Sequence, residues 1–574
     1  MHLLPTVTRI KPRLNNYRQL LPVCAAALLL AAPGPATWAQ TASTLAITNA
    51  ATNAPSNPAG GGALPSLGDN AELTAGAERR IGDRIAASIY RDADYIDDAV
   101  LGDYLQSIWQ PLLAAARARG ELQPELDERF AFELFMLRDR SINAFALPGG
   151  YFGVHLGLIG VVTSRDELAA VLGHEMSHVT QRHISRLITQ QSRQTPWIIG
   201  AMILGALAAS KNPQAASAAV VGGQAVAAQS QLNFSRDMER EADRVGFSVM
   251  TDAGFESRGV ASMFEKLQQG ARLNDNGAFP YLRSHPLTTQ RIAEAQLRVQ
   301  SAPPQRPAAP AVQLQSAVLH AMMAARARVL VDPGVDGLRA MVEDASRTPD
   351  AAQGGDVNNV NSASFPKSAS TLYAGAMAAA RQRNFTQAFG FANRLKALAV
   401  NFNPGPNPST NSSTDPNVAP SDVARATDLL LLELHAAAGT LPPGAGAIDL
   451  GKTDRRAELL TEARTLLAAG KPQAVSNRLI TWVTAHPKDA PAWQLLAVSY
   501  GNQNQTVRAI RADAEARAAQ LDYTGALDRL RAAQDLMRAN PGAADYVEGS
   551  IIDTRARQVD SLVKEQALQD KLDR

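Results

Sequence analysis

The chain has 574 residues, 45% of them hydrophobic and 19% charged, with a formal net charge of +2 and one cysteine. That length exceeds a single ordinary domain, and the apolar share is enough to build sizeable cores. The near-neutral balance argues against a nucleic-acid partner, which would need a basic face, and one cysteine excludes a disulfide framework within the chain.

Arg9, Lys11, Arg13 and Arg18 precede an apolar run from Leu20 to Ala32, and small residues lead up to Ala39 before Gln40. The pattern predicts a cleavable secretory signal over residues 1–39, with an apolar run too short for a spanning helix of about 20 residues. Cys24 follows Pro22 and Val23 rather than the small residues of a lipoprotein signal. Losing this segment removes four basic and no acidic residues, taking the formal charge from +2 to −2, and leaves no cysteine. The expected address is the bacterial periplasm, where oxidation then poses no hazard. Residues 40–70, rich in Ala, Thr, Asn, Gly and Pro, read as a flexible leader, and a folded domain is expected over 71–300.

Within that domain Ala146 to Val154 reads as a turn feeding a short strand, because Pro148-Gly149-Gly150 breaks any helix and aromatic and branched residues follow. Gly153 would leave one side of the strand open, as for an edge that accepts an extended peptide; an ordinary core hairpin fits the residues equally well. Ser164-Arg165-Asp166-Glu167 then forms a capping box and starts a helix expected from about 165 to 190. It carries His174-Glu175-Met176-Ser177-His178. Histidines four apart lie one above the other on a helix, so both imidazoles reach one metal ion while Glu175 meets the water that the metal activates. A continuation to a third histidine in the same helix is ruled out, because Gln181 and Ile184 stand where that longer motif needs Gly and His. His183 falls one residue short and reads as a helix-face residue or a support behind the ligands.

Trp197 to Ala209 and Ala215 to Ala228 are apolar or small-residue runs flanking Lys211-Asn212-Pro213. Thirteen apolar residues span only about 20 Å as a helix, short of a hydrocarbon core of roughly 30 Å, so a buried hairpin is expected, with peripheral membrane contact as the alternative. Downstream, Glu239 and Asp243 are four apart. On a helix one carboxylate can bind the metal while the next turn's carboxylate accepts a proton from a ligand imidazole. Glu241 is the competing ligand, but Val245 four residues on cannot play the supporting part. The Ser284-His285-Pro286 segment is non-helical and can carry an imidazole towards the metal, as a latch, as a donor to the tetrahedral intermediate, or as a bystander; Arg291 is a further candidate donor.

Ala302 to Pro310 is rich in proline, and a linker is expected over 301–315. Helical patterns dominate 316–574, interrupted by Gly, Asn, Pro and Ser at 350–368 and 401–421, which read as disordered insertions. Tyr373 to Gln382 with Phe385 to Leu398, and Ala492 to Tyr500 with its successor, resemble tetratricopeptide helix pairs. Trp493, Leu496, Ala497 and Tyr500 share one face, as do Tyr523, Ala526, Leu530 and Ala533. Such a solenoid docks proteins, and the metal core is expected to survive without it; a plain helical cap is the alternative.

Asn143 to Val154, His174 to His183, Ser235 to Asp243 and Ser284 to Arg291 together resemble the four landmarks of the HtpX-like zinc metallopeptidases, the family that also contains the CAAX prenyl proteases. The resemblance spans roughly residues 75–300. It implies one zinc ion per chain on His174, His178 and Glu239, with Glu175 as general base. It also implies a mainly α fold with a small β-sheet, a gluzincin-type domain followed by the repeat solenoid. The expected function is a periplasmic zinc metalloendopeptidase that degrades misfolded or stalled outer-membrane proteins and assists their assembly, its repeats engaging the assembly machinery. The alternative is a chaperone or adaptor with a largely latent protease site.

Overall fold

Four short strands form one mixed sheet in the order β1-β2-β4-β3: β1 (Tyr95–Ile96), β2 (Glu133–Leu137), β3 (Ala144–Leu147) and β4 (Tyr151–His155). β2 and β4 run parallel, while β1 pairs antiparallel with β2 and β3 antiparallel with β4. The computed structural model describes residues 73–191, 235–273, 280–303, 309–349, 364–400, 421–443, 455–540, 542 and 545–572. The expected signal, the leader, the apolar runs at 197–228 and most of both insertions lie outside these residues. No described helix is long and apolar enough to cross a membrane.

The Pro-Gly-Gly turn joins β3 to β4, with Gly149 at φ +74° and Gly150 at φ +79°, a conformation that side chains with a Cβ rarely adopt. This is the hairpin reading, and it corrects the open-sided one. β4 is interior, and the face that Gly153 leaves bare is filled by the Phe145 ring, which would lie 2.1 Å from a Cβ there. Among the described residues the edge strand on this side is β3, which packs on the helix Arg165–Thr180.

That helix begins as expected, Ser164 Oγ accepting from the Glu167 amide at 3.2 Å. The Glu167 carboxylate reaches past the cap residue to the Thr163 amide (2.7 Å) and holds Lys266 of the helix Arg258–Leu273 (2.7 Å). The helix stops early. Arg182 takes the left-handed conformation (φ +54°), and a new helix starts at His183 instead of continuing to 190. No local signal marks the break, because Arg is an ordinary helix former; the strained backbone is held by the ion pair from Arg182 to the fully buried Glu78 at 2.9 Å.

The tail is a succession of antiparallel helix pairs. Gly470 and Asn504, 34 residues apart, both turn left-handed between the two helices of a pair, at the spacing of a tetratricopeptide repeat. The expected linker is shorter than read, because the helix Pro310–Leu330 starts within 301–315, where Pro suits a first helical turn. Likewise Ser364–Arg381 starts within the first expected insertion. One hydrophobic cluster runs without interruption from Trp109 and Leu172 through Met322 and Tyr373 to Leu460. Several arginines of the tail reach acids on the peptidase side. Arg326 binds Asp98 through two bonds of 2.7 Å and also Glu433; Arg425 binds Asp103 (2.6 Å) and Glu458; Arg456 binds Asp97 through two bonds of 2.8 Å and also Asp489.

Candidate metal centre

Two helices bring the site together because neither has a side chain where they cross. A Cβ on Gly246 would sit 2.9 Å from the Gly173 carbonyl carbon and 2.9 Å from the His174 amide nitrogen. The helix Arg236–Asp252, capped by Ser235 on the Met238 amide, therefore lies against the HExxH helix closely enough for its carboxylates to reach both histidines.

His174 Nε2 and His178 Nε2 face each other at 3.0 Å. Glu239 lies 3.5 Å from each of these nitrogens, and His285 Nδ1 lies 3.2 Å from His174 Nε2 and 3.0 Å from Glu239 Oε1. All four side chains are buried. Ligands held about 2.0–2.1 Å from a tetrahedral ion sit roughly 3.3 Å from one another, so these separations fit a divalent metal of zinc's size. The donor chemistry agrees. His174 Nδ1 is 3.0 Å from Asp243 Oδ1, which accepts its hydrogen, so the neutral ring turns a bare Nε2 towards the cluster.

Asp243 in turn accepts two bonds from Arg291, at 2.7 and 2.8 Å, and Arg291 Nη1 is 2.6 Å from Glu239. Arg291 is thus committed to the two carboxylates and is not placed as a free donor to substrate, which corrects the reading of it as a candidate donor. Glu241 does not join the cluster; it is a third exposed and pairs with His183 (2.9 Å) and Arg186 (2.8 Å). The structure brings together His174, Glu175, His178, Glu239, Asp243 and His285.

The electrostatics follow from burial among opposed charges. Burial opposes charge on His174, but Asp243 and Glu239 outweigh it and raise its pKa to about 10. Burial, with His174 and His285 adding to it, holds His178 well below the ordinary imidazole value. Glu239 is also penalised by burial, yet His285 and His174 drive it far below the carboxylate range. Glu175 is pushed up by burial, with His285 and His174 opposing, and it lies 3.4 Å from His285 Nε2. Tyr281 escaped the reading of the sequence. It stacks on His285 at 4.6 Å, and its position four residues earlier is the signal that marks it.

Residues 103–299 match the model of peptidase family M48. A putative beta-barrel assembly-enhancing protease of Vibrio cholerae is 36% identical over 243 residues, 42% of this chain and 48% of that protein. The beta-barrel assembly-enhancing protease of Escherichia coli K12 is 33% identical over 241 residues, 41% and 47% of the two chains. The mitochondrial metalloendopeptidase OMA1 of Arabidopsis thaliana is 30% identical over 165 residues, 29% and 31%. The chain spans about half the length of the first two relatives. With the HExxH helix, Glu239, His285 and Arg291 all inside the matched span, residues 103–299 are a peptidase family M48 domain.

Proposed function

We propose that the protein is a zinc-dependent metalloendopeptidase of the periplasm, acting on misfolded or stalled outer-membrane proteins and assisting their assembly. The observation that carries the reading is the convergence of His174, His178, Glu239 and His285 beside the buried Glu175. We assign His174, His178 and Glu239 as the metal ligands and Asp243 as the group that orients His174. A zinc ion held there would polarise the scissile carbonyl and lower the pKa of water to about 7. Glu175 takes the proton from the attacking water and passes it to the leaving amine; a carboxyl whose pKa burial has raised is suited to holding that proton between the two steps. Extended polypeptide pairs along β3, whose backbone offers binding without regard to sequence. The names of the two bacterial relatives support outer-membrane β-barrel proteins and their assembly machinery as clients and partners.

His285 supports a second, compatible reading. Its Nδ1, close to both His174 and Glu239, would reach a metal held by those residues, and on this reading the resting protein would be latent and the repeats would bind clients before any cut is made. The test is zinc analysis of the purified full chain together with cleavage of an unfolded protein, alongside Glu175→Gln. The variant is expected to keep zinc and fold and to lose proteolysis by several orders of magnitude. Normal cleavage by zinc-loaded Glu175→Gln would sink the mechanism.

A further inference from the structure

His183 is fully buried at the head of its helix, turned back by the left-handed Arg182 so that its Nδ1 lies 3.0 Å from His178 Nδ1. Its other nitrogen, Nε2, lies 2.9 Å from Glu241 Oε2, and the same oxygen accepts from Arg186 Nη2 at 2.8 Å. A carboxylate can only accept, so His183 Nε2 carries hydrogen and, in the neutral ring, Nδ1 is bare. One hydrogen must lie between the two facing Nδ1 atoms, and it therefore belongs to His178. That leaves His178 Nε2 bare, aimed at His174 and Glu239.

We propose that His183, Glu241 and Arg186 form a positioning relay that fixes the tautomer and ring angle of His178 for metal binding. The proposal rests on the metal reading above. The two histidines of the HExxH helix are thus supported in parallel. His174 leans directly on Asp243, which is neutralised by Arg291; His178 leans on Glu241 through an interposed imidazole, and Glu241 is neutralised by Arg186. Glu241, in the same helical turn as Glu239, serves the site from behind one ligand while Glu239 faces the metal. The intermediary is needed because Glu241 lies on the partly exposed side of its helix, where a carboxylate keeps its charge at little cost, and the ring of His183 spans the distance to the buried ligand.

The test uses the full chain stripped of metal and reloaded with zinc or cobalt(II). Zinc affinity by chelator competition, the zinc release rate and the cobalt visible spectrum are read beside the thermal midpoint of the metal-free protein. His183→Ala is expected to weaken zinc binding 10- to 100-fold with faster release and a changed cobalt band, while the metal-free midpoint stays within a few degrees of wild type. His183→Asn places an amide oxygen near the position of Nδ1 and should recover most of the affinity; Glu241→Gln should lose several-fold. Wild-type affinity, release and spectrum in both His183→Ala and Glu241→Gln, with His178→Ala losing metal, would overturn the relay and leave the metal reading standing. Equal zinc uptake by wild type and His178→Ala would instead overturn the metal reading. A loss in His183→Ala matched by a collapsed metal-free midpoint and not restored by Asn would reduce His183 to a packing residue; if His183→Ala does not fold, Glu241→Gln decides.

Discussion

Gly173 and Gly246 meet backbone to backbone where the two helices of the site cross, and the closeness of Gly173 and His174 leaves no room for a Cβ on Gly246. Gly246→Ala would press a methyl into the carbonyl of Gly173 and the amide of His174, and neither can yield without shifting the helix that carries the histidines. The expected result is a loss of about 1–3 kcal/mol in stability from overpacking, with zinc affinity falling by more than stability alone explains. Denaturant unfolding of the metal-free and zinc-loaded forms measures both. An alanine variant with unchanged zinc affinity would show that this crossing does not set the ligand geometry.

His285→Ala distinguishes the three parts that residue can play. Its Nδ1 within 3.2 Å of both His174 and Glu239 leads us to expect the latch, so the variant should cleave itself and unfolded clients several-fold faster than wild type. A drop in the turnover number would make His285 a donor to the intermediate, and no change a bystander. Zinc content, measured in parallel, guards against a variant that is slow because it has lost its metal.

The pH dependence of the metal-free protein follows from His174. Burial lowers its pKa, but Asp243 and Glu239 raise it to about 10 in the folded state, above the ordinary 6.5. Its charged form therefore stabilises the fold fully below about pH 6.5, and that contribution is lost as pH rises towards 10. Thermal midpoints without zinc should fall across this window, and less so in Asp243→Asn, where one of the two raising carboxylates is neutral. Zinc uptake below pH 10 should expel a proton, detectable in a weakly buffered titration. A flat midpoint from pH 6.5 to 10 would contradict the assignment.

The tail shares one hydrophobic cluster with the peptidase core. Arg326 is buried between Asp98 and Glu433, and the surrounding cluster continues into Met322, Met323 and Tyr373. Truncation after residue 300 is expected to leave an insoluble or poorly folded product. Arg326→Ala should cost about 3–5 kcal/mol by leaving two acids unpaired. A truncated chain that unfolds cooperatively and binds zinc would refute this.

The convergence of His174, His178 and Glu239 was legible because helix periodicity needs no tertiary knowledge: the two histidines share a face, and Asp243 singles out Glu239 over Glu241 by the same four-residue step. The paired helices of the tail were legible for the same reason. What was hidden depends on partners distant in sequence. The break at Arg182 rests on Glu78, and the commitment of Arg291 rests on Asp243 arriving from another helix. Whether β4 or β3 holds the edge is a matter of strand order, which the local pattern of Tyr151 to His155 does not encode.

Repeat solenoids commonly tolerate the gain or loss of a unit, since each unit answers only to its neighbours. Here that modular freedom is withdrawn. Arg425 and Glu458, like Arg456 and Asp489, lie 33 residues apart along the tail, while the same two arginines also grip Asp103 and Asp97 near the start of the helix Ala99–Ala118. The repeat length and the peptidase surface thus work as two scales read against each other. A unit added or deleted between Arg425 and Arg456 would take at least one arginine off its peptidase acid, so the stretch can diverge by substitution far more readily than by changes in length.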